Sequence, residues 1–114
     1  IVILHHPSCT NQDHRQCYEA GIIVTRFNHS MLISCEVPSS IGYLKPNTFD
    51  PNLYIDITVP DFVQKMMAFE NYSTEVKKYP NPRSTEKMRC LAEYRGSQIN
   101  TKYAEAFEII KETI

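Results

Sequence analysis

Residues 53–62 read LYIDITVPDF, and residues 63–79 continue VQKMMAFENYSTEVKKY. In the first segment Leu53, Ile55, Ile57 and Val59 alternate with Tyr54, Asp56 and Thr58. A period of two puts one set on each face of a strand, so Leu53–Val59 reads as a strand with one apolar face. Pro60 and Asp61 interrupt it. Asp61 suits a helix N-cap, with Gln64 three residues on as a capping box requires. Phe62, Met66, Phe69, Tyr72, Val76 and Tyr79 then recur at helical spacing, which predicts an amphipathic helix over 61–79. Lys77 and Lys78 fall in its last turn, where cations complement the helix dipole. Pro80-Asn81-Pro82 stops it.

Working outward, Ile1–Leu4 reads as a short strand, and the polar, irregular residues 5–20 as a loop. Gly21–Phe27 and Ser30–Val37 are rich in Ile, Val, Thr and Phe, with Asn28-His29 between them. That pattern predicts a hairpin. Pro38, Gly42, Pro46, Asp50 and Pro51 mark 38–52 as a surface loop. Met88, Cys90, Ala92 and Tyr94 alternate with Arg89 and Glu93, as a strand would. Asn100 is placed to cap a final helix with Tyr103, Ala106, Phe107, Ile110 and Ile114 on one stripe. The expected fold is α+β: a four- to five-stranded, mostly antiparallel sheet with two helices packed on one face. At 114 residues, a single domain is expected. The start without Met and the end within a helix-like run read as a piece, such as an ectodomain, of a larger protein.

A net charge of -1 gives no chain-wide attraction to nucleic acid or to a membrane surface. The opening apolar run is far too short to span a bilayer. Four cysteines in a short chain read first as two disulfides, Cys9–Cys17 and Cys35–Cys90, and so as an oxidising compartment. Cys35 and Cys90 both fall on the apolar face of an expected strand. Cys9–Cys17 would staple the segment with least apolar content. Sequons at Asn28-His29-Ser30 and Asn71-Tyr72-Ser73 agree with secretion. The expectation is therefore an extracellular, disulfide-stabilised glycoprotein module without catalysis, metal or cofactor. It would bind another protein, such as a receptor, as viral or host surface proteins do. Tyr54, on the polar face of its strand, and Tyr43 and Lys45, in the 38–52 loop, are the candidate contact residues.

Two other chemistries compete. His5, His6, Cys9, His14 and Cys17 crowd into thirteen residues, and zinc takes four such N/S ligands. Zinc would need Cys9 and Cys17 as thiolates, which excludes their disulfide. Separately, Pro60-Asp61 followed by Glu75-Val76-Lys77 resembles the PD-(D/E)xK pattern of restriction-endonuclease-like enzymes, over residues 45–112. The resemblance implies that Asp61 and Glu75 hold a divalent metal and that Lys77 assists the attacking water. In that family the Glu-x-Lys lies on a strand, whereas here it falls in a predicted helix. With Asp56 as the second acid, Pro46-Asn47 stands for the family's Pro-Asp, and Thr58 replaces the Lys. Lys77, Lys78, Arg83, Lys87, Arg89 and Arg95 make up six of the twelve basic residues, diluted by Glu75, Glu86 and Glu93 into a solvated face.

Overall fold

The structure, a computed structural model, describes residues 1–40 and 49–112. Its elements are β1 (Val2–His5), α1 (Gln12–Thr25), β2 (Leu32–Cys35), β3 (Leu53–Asp56), α2 (Val59–Glu70), α3 (Thr85–Gln98) and β4 (Ala104–Lys111). The four strands form one sheet in the order β1-β2-β4-β3. β1 and β2 are parallel, with Val2 opposite Leu32 and His5 opposite Cys35. β2 and β4 are antiparallel, with Ile33 opposite Ile109 and Cys35 opposite Phe107. The α+β class stands, but its details change. The sheet is mixed, it holds four strands, and there are three helices among the described residues. The chain divides into two compact units, residues 1–53 with 106–114, and residues 54–105.

In the first unit the expected hairpin is absent, and α1 carries the chain from β1 to β2 instead. Parallel neighbours cannot be joined by a tight turn, so the link must cross over. Asn11 starts the helix: its side chain accepts from the backbone N–H of Asp13 (2.8 Å) and His14 (3.4 Å). Most of the polar stretch expected to be a loop is thus helix, and Gly21–Thr25 is helix rather than strand. The β-branched run Ile22–Thr25 is a weak helix former that tertiary packing overrides. Gly21 lets α1 approach β1, since a Cβ there would lie 2.3 Å from Leu4 Cδ1. α1 has no basic residue in its last turn. Lys111 of β4 supplies the cation, donating to the carbonyl oxygens of Thr25 (2.7 Å) and Asn28 (2.5 Å). β2 is buried on both faces: Leu32, Ile33 and Ser34 are all inaccessible. Alternation along 31–37 therefore does not separate an inside from an outside.

In the second unit α2 starts earlier than expected. Thr58 is its N-cap, with its Oγ1 accepting from Asp61 N (3.3 Å) and donating to Asp61 Oδ2 (2.6 Å). Pro60 sits in the first turn, where its missing N–H costs nothing. α2 ends at Glu70 with Asn71 as C-cap, and turns follow, so Tyr72 and Tyr79 are exposed. Residues 88–94 lie in α3, not in a strand. Ser84 caps it, and Thr85–Gln98 is rich in Glu, Lys, Arg, Met, Leu, Ala and Gln, all good helix formers. Residues two apart in an alternating set are also four apart in pairs, as Met88 and Ala92 are, so a short alternation fits a helix too.

Asn100 closes α3 instead of opening a new helix. It takes φ 60°, and Thr101 N donates to Gly96 O at 2.9 Å, the closure of a Schellman motif. The chain then continues as β4. Phe62, Ala92 and Tyr103 form this unit's buried cluster, with Ile57 and Met66 against it. The rings of Phe62 and Tyr103 stack with centroids 4.0 Å apart.

Gly96 sits where the chain doubles back on α3. A Cβ there would lie 2.7 Å from Thr101 O and 2.8 Å from Lys102 C, both backbone atoms. Gly96→Ala should destabilise the protein by about 1–2 kcal/mol, since overpacking costs about 1–3 kcal/mol and the helix-propensity gain returns up to about 1. Denaturant unfolding midpoints check this; an unchanged or higher midpoint would refute the close approach.

Candidate functional site

The densest set of chemically versatile side chains lies in the first unit, where β1 runs out toward α1. His6 leaves β1, residues 7–8 turn, and Cys9 N donates back to His6 O at 3.1 Å. Thr10 N donates to Ser40 O at 2.8 Å. Arg15, one turn into α1, donates from Nη1 to the carbonyl oxygens of Cys9 and Thr10, each at 2.8 Å. These bonds fix the turn that carries Cys9.

Cys9 is 0% exposed. Its Sγ lies 3.1 Å from His14 Nδ1 and 2.9 Å from Ser40 Oγ. His14 in turn stacks on His5, with ring centroids 3.8 Å apart and planes 9° from parallel. A thiol, an imidazole and a hydroxyl thus meet at one sulfur, on the turn between a parallel strand and its crossover helix. Burial and then the neighbouring His14 lower the pKa of His5.

A second network adjoins the same turn. His6 is buried, with Nδ1 2.6 Å from Ser8 Oγ and 3.2 Å from Ser8 N. A backbone N–H can only donate, so Nδ1 is the accepting nitrogen and the ring proton sits on Nε2. Nε2 lies 3.1 Å from Glu108 Oε2 on β4 and donates to it. Asp50 N donates to the same oxygen at 3.3 Å. Burial lowers the pKa of His6 and outweighs the upward pull of Glu108. Tyr18 of α1 is shifted up, by burial first and by the charge of Glu108 second.

No disulfide joins any two of the four cysteines. Cys9 faces His14 and Ser40, while Cys17 is exposed on α1, so the local staple is not formed. Cys90 is exposed on α3, and the argument that it shares a sheet face with Cys35, which is half-buried on β2, lapses with the strand it rested on. The disulfide-stabilised receptor-binding module, its surface-protein role and its extracellular location were inferred from those bridges and fall with them. The sequons lend no independent support. Asn28 is exposed just beyond α1, not at a hairpin tip, and Asn71 is the C-cap of α2 with Nδ2 donating to Met67 O at 3.0 Å.

The alternative chemistries fare no better. Among the described residues no group of three His, Cys, Asp or Glu is arranged to hold a metal ion, which removes the His5-His6-Cys9-His14-Cys17 zinc set. The nuclease-like groups serve local contacts. Asp61 bonds Thr58, Glu75 pairs with Arg83, and Lys77 Nζ donates to Thr74 O at 2.7 Å. Glu75 lies in a turn and Lys77 in the irregular stretch after it, neither on the helix expected nor on the strand that family needs. Asp56 ends β3 and is exposed. Tyr54 is half-buried on β3; Tyr43 and Lys45 lie outside the described residues. No helix among the described residues is long and apolar enough to cross a membrane. Comparison with protein-family models and with curated proteins finds no match.

The zinc pattern groups Cys9 with His14 and the disulfide pattern pairs Cys9 with Cys17, while neither reaches Ser40, Ser8 or Glu108. The cue for Cys9 and His14 was Asn11, a strong N-cap residue that puts His14 in the first turn of a helix. Nothing local points to Glu108, which reaches His6 only through strand pairing.

His5 and His6 make stability depend on pH. Their folded-state pKa values lie below the unfolded value of about 6.5, so the unfolded chain takes up protons first. This contribution is fully present above about pH 6.5 and is lost as pH falls from there through the folded values. Denaturant midpoints should drop between about pH 7.5 and 5.5, and His6→Gln should flatten part of that drop. A midpoint that rises or stays level over this range would contradict the assignment.

Proposed function

We propose that this chain carries a thiol-dependent site in which Cys9 is the nucleophile and His14 its base. One observation supports the reading above the others: Cys9 Sγ is within hydrogen-bond reach of His14 Nδ1 at 3.1 Å. A cysteine beside a histidine is the arrangement that activates a thiol, because the imidazole accepts its proton and the thiolate then attacks an electrophilic centre. Ser40 Oγ, at 2.9 Å, can donate to the sulfur once the thiol proton has gone. His5, stacked on His14, holds that ring in plane, as the third member of such sites orients the base. The class of substrate is an electrophile that a thiolate can attack, with a covalent sulfur-bound intermediate.

The complete burial of Cys9 favours a second reading, in which the Cys9-His14-Ser40 contacts only tie the turn to α1. The two separate on reactivity. Iodoacetamide labelling of the whole chain, resolved by peptide mass, reads Cys9 against the exposed Cys17. The nucleophile reading predicts that Cys9 is alkylated at neutral pH and that His14→Gln slows Cys9 about tenfold or more without affecting Cys17. Cys9 that stays unlabelled while Cys17 reacts, or that reacts equally fast in His14→Gln, would leave the structural reading.

A further inference from the structure

The turn that buries Cys9 is closed by a histidine that can exist in only one protonation state without losing a bond. We propose that His6 is a pH-sensitive latch on the Cys9 turn, whose protonation at Nδ1 expels the Ser8 amide and opens the buried thiol to solvent. The inference rests on the reading of Cys9 as a reactive thiol for its purpose, but not for its physics.

Neutral His6 uses both ring nitrogens. Nε2–H donates to Glu108, and Nδ1 accepts from the Ser8 backbone N–H at 3.2 Å. The Ser8 hydroxyl, at 2.6 Å from Nδ1, can donate or accept. A proton added at Nδ1 leaves the Glu108 contact intact as an ion pair. The Ser8 hydroxyl can turn to accept it. The Ser8 amide cannot turn: its N–H then faces another N–H and must move away. Ser8 is buried, so an amide without an acceptor there costs free energy comparable to a lost hydrogen bond. The turn keeps Cys9 N to His6 O and Thr10 N to Ser40 O as its remaining backbone bonds. Cys9 adjoins Ser8 in the chain, so displacement of Ser8 pulls on the residue whose sulfur is shielded by His14 and Ser40.

The groups around His6 set the direction of this response. From β4 comes Glu108, which favours the proton. From α1, Tyr18 faces Glu108 and is neutral near neutral pH, its pKa raised. From residues 49–50, the Phe49 ring meets His6 edge-on at 5.5 Å, and Asp50 contributes its N–H to Glu108. His5 precedes His6 and stacks on His14, so protonation of either of that pair adds repulsion nearby. Proton uptake therefore occurs where the open turn, which hydrates His6, outcompetes the closed one.

Labelling with a dithiodipyridine reagent, which reacts with thiols in mildly acidic solution, tests this on the intact chain. The readout is the ratio of Cys9 to Cys17 modification by peptide mass, at about pH 7.5 and about pH 5.5, either side of the ordinary histidine range. The expected result is a several-fold rise in the ratio on acidification in the wild type, a flat ratio in His6→Gln, and a preserved rise in Ser8→Ala, which keeps the backbone amide. A constant ratio of Cys35 to Cys17 modification over the same range shows that the chain has not simply unfolded. Should His6→Gln fail to fold, the ring nitrogen resonances of His6 in the wild type decide: they must pass from the Nε2–H form to the doubly protonated form over the same interval in which the ratio rises. A flat wild-type ratio, a rise that persists in His6→Gln, or a rise without His6 titration overturns the latch. The nucleophile reading fails separately, through the His14→Gln comparison at neutral pH, and the latch survives that failure.

Discussion

A parallel strand pair cannot be closed by a turn, and this constraint organises the first half of the chain. Once Val2–His5 lies parallel to Leu32–Cys35, the intervening residues must cross over, and the crossover is the helix that Asn11 caps. The turn between strand and helix then holds His6, Ser8 and Cys9. The helix's first turn brings His14 back onto Cys9. The far end of the crossover is completed by Lys111, donating to the carbonyl oxygens of Thr25 and Asn28 where α1 ends. Removing the parallel pair would leave none of these contacts a reason to exist.

What was legible in the sequence followed from strong local signals. Leu53–Asp56 and the helix after Pro60 are where periodicity and breakers agree. Even so, the helix starts at Val59 with Thr58 as its cap, because Pro60 fits the first turn and Asp61 bonds back to the Thr58 hydroxyl from inside it. It ended at Glu70, where Asn71 closes it. The illegible parts failed for definite reasons. Ile22–Thr25 reads as strand by its β-branched residues, but it is held as helix by the capped turns before it and by the approach that Gly21 permits. Met88–Tyr94 alternates over too few residues to separate a strand from a helix. Ala104–Lys111 was hidden by Asn100, which serves equally well as a cap at either end of a helix and here takes the left-handed conformation that ends one.

The cysteines show how far a count can carry. Four cysteines in a short chain suggest two disulfides, a strand at residue 90 supports one of the pairings, and the disulfides imply an oxidising compartment and a secreted binding role. With Cys90 on α3 and no disulfide formed, those implications lose their support. What replaces them is local and chemical: a buried sulfur with an imidazole and a hydroxyl within bonding distance, beside a second histidine locked between a serine and a glutamate. His6 follows β1 and His14 lies in the first turn of α1, on either side of the turn that the crossover requires, so fold and site share one cause.

The hydrogen bond between Cys9 and His14 is the claim on which the functional account stands. Nitrogen NMR of the His14 ring, in the wild type and in Cys9→Ser and Cys17→Ser, reads it directly. The account predicts that Cys9→Ser moves the Nδ1 resonance of His14 while Cys17→Ser leaves it in place. A Nδ1 resonance that ignores the loss of the Cys9 sulfur would contradict the account.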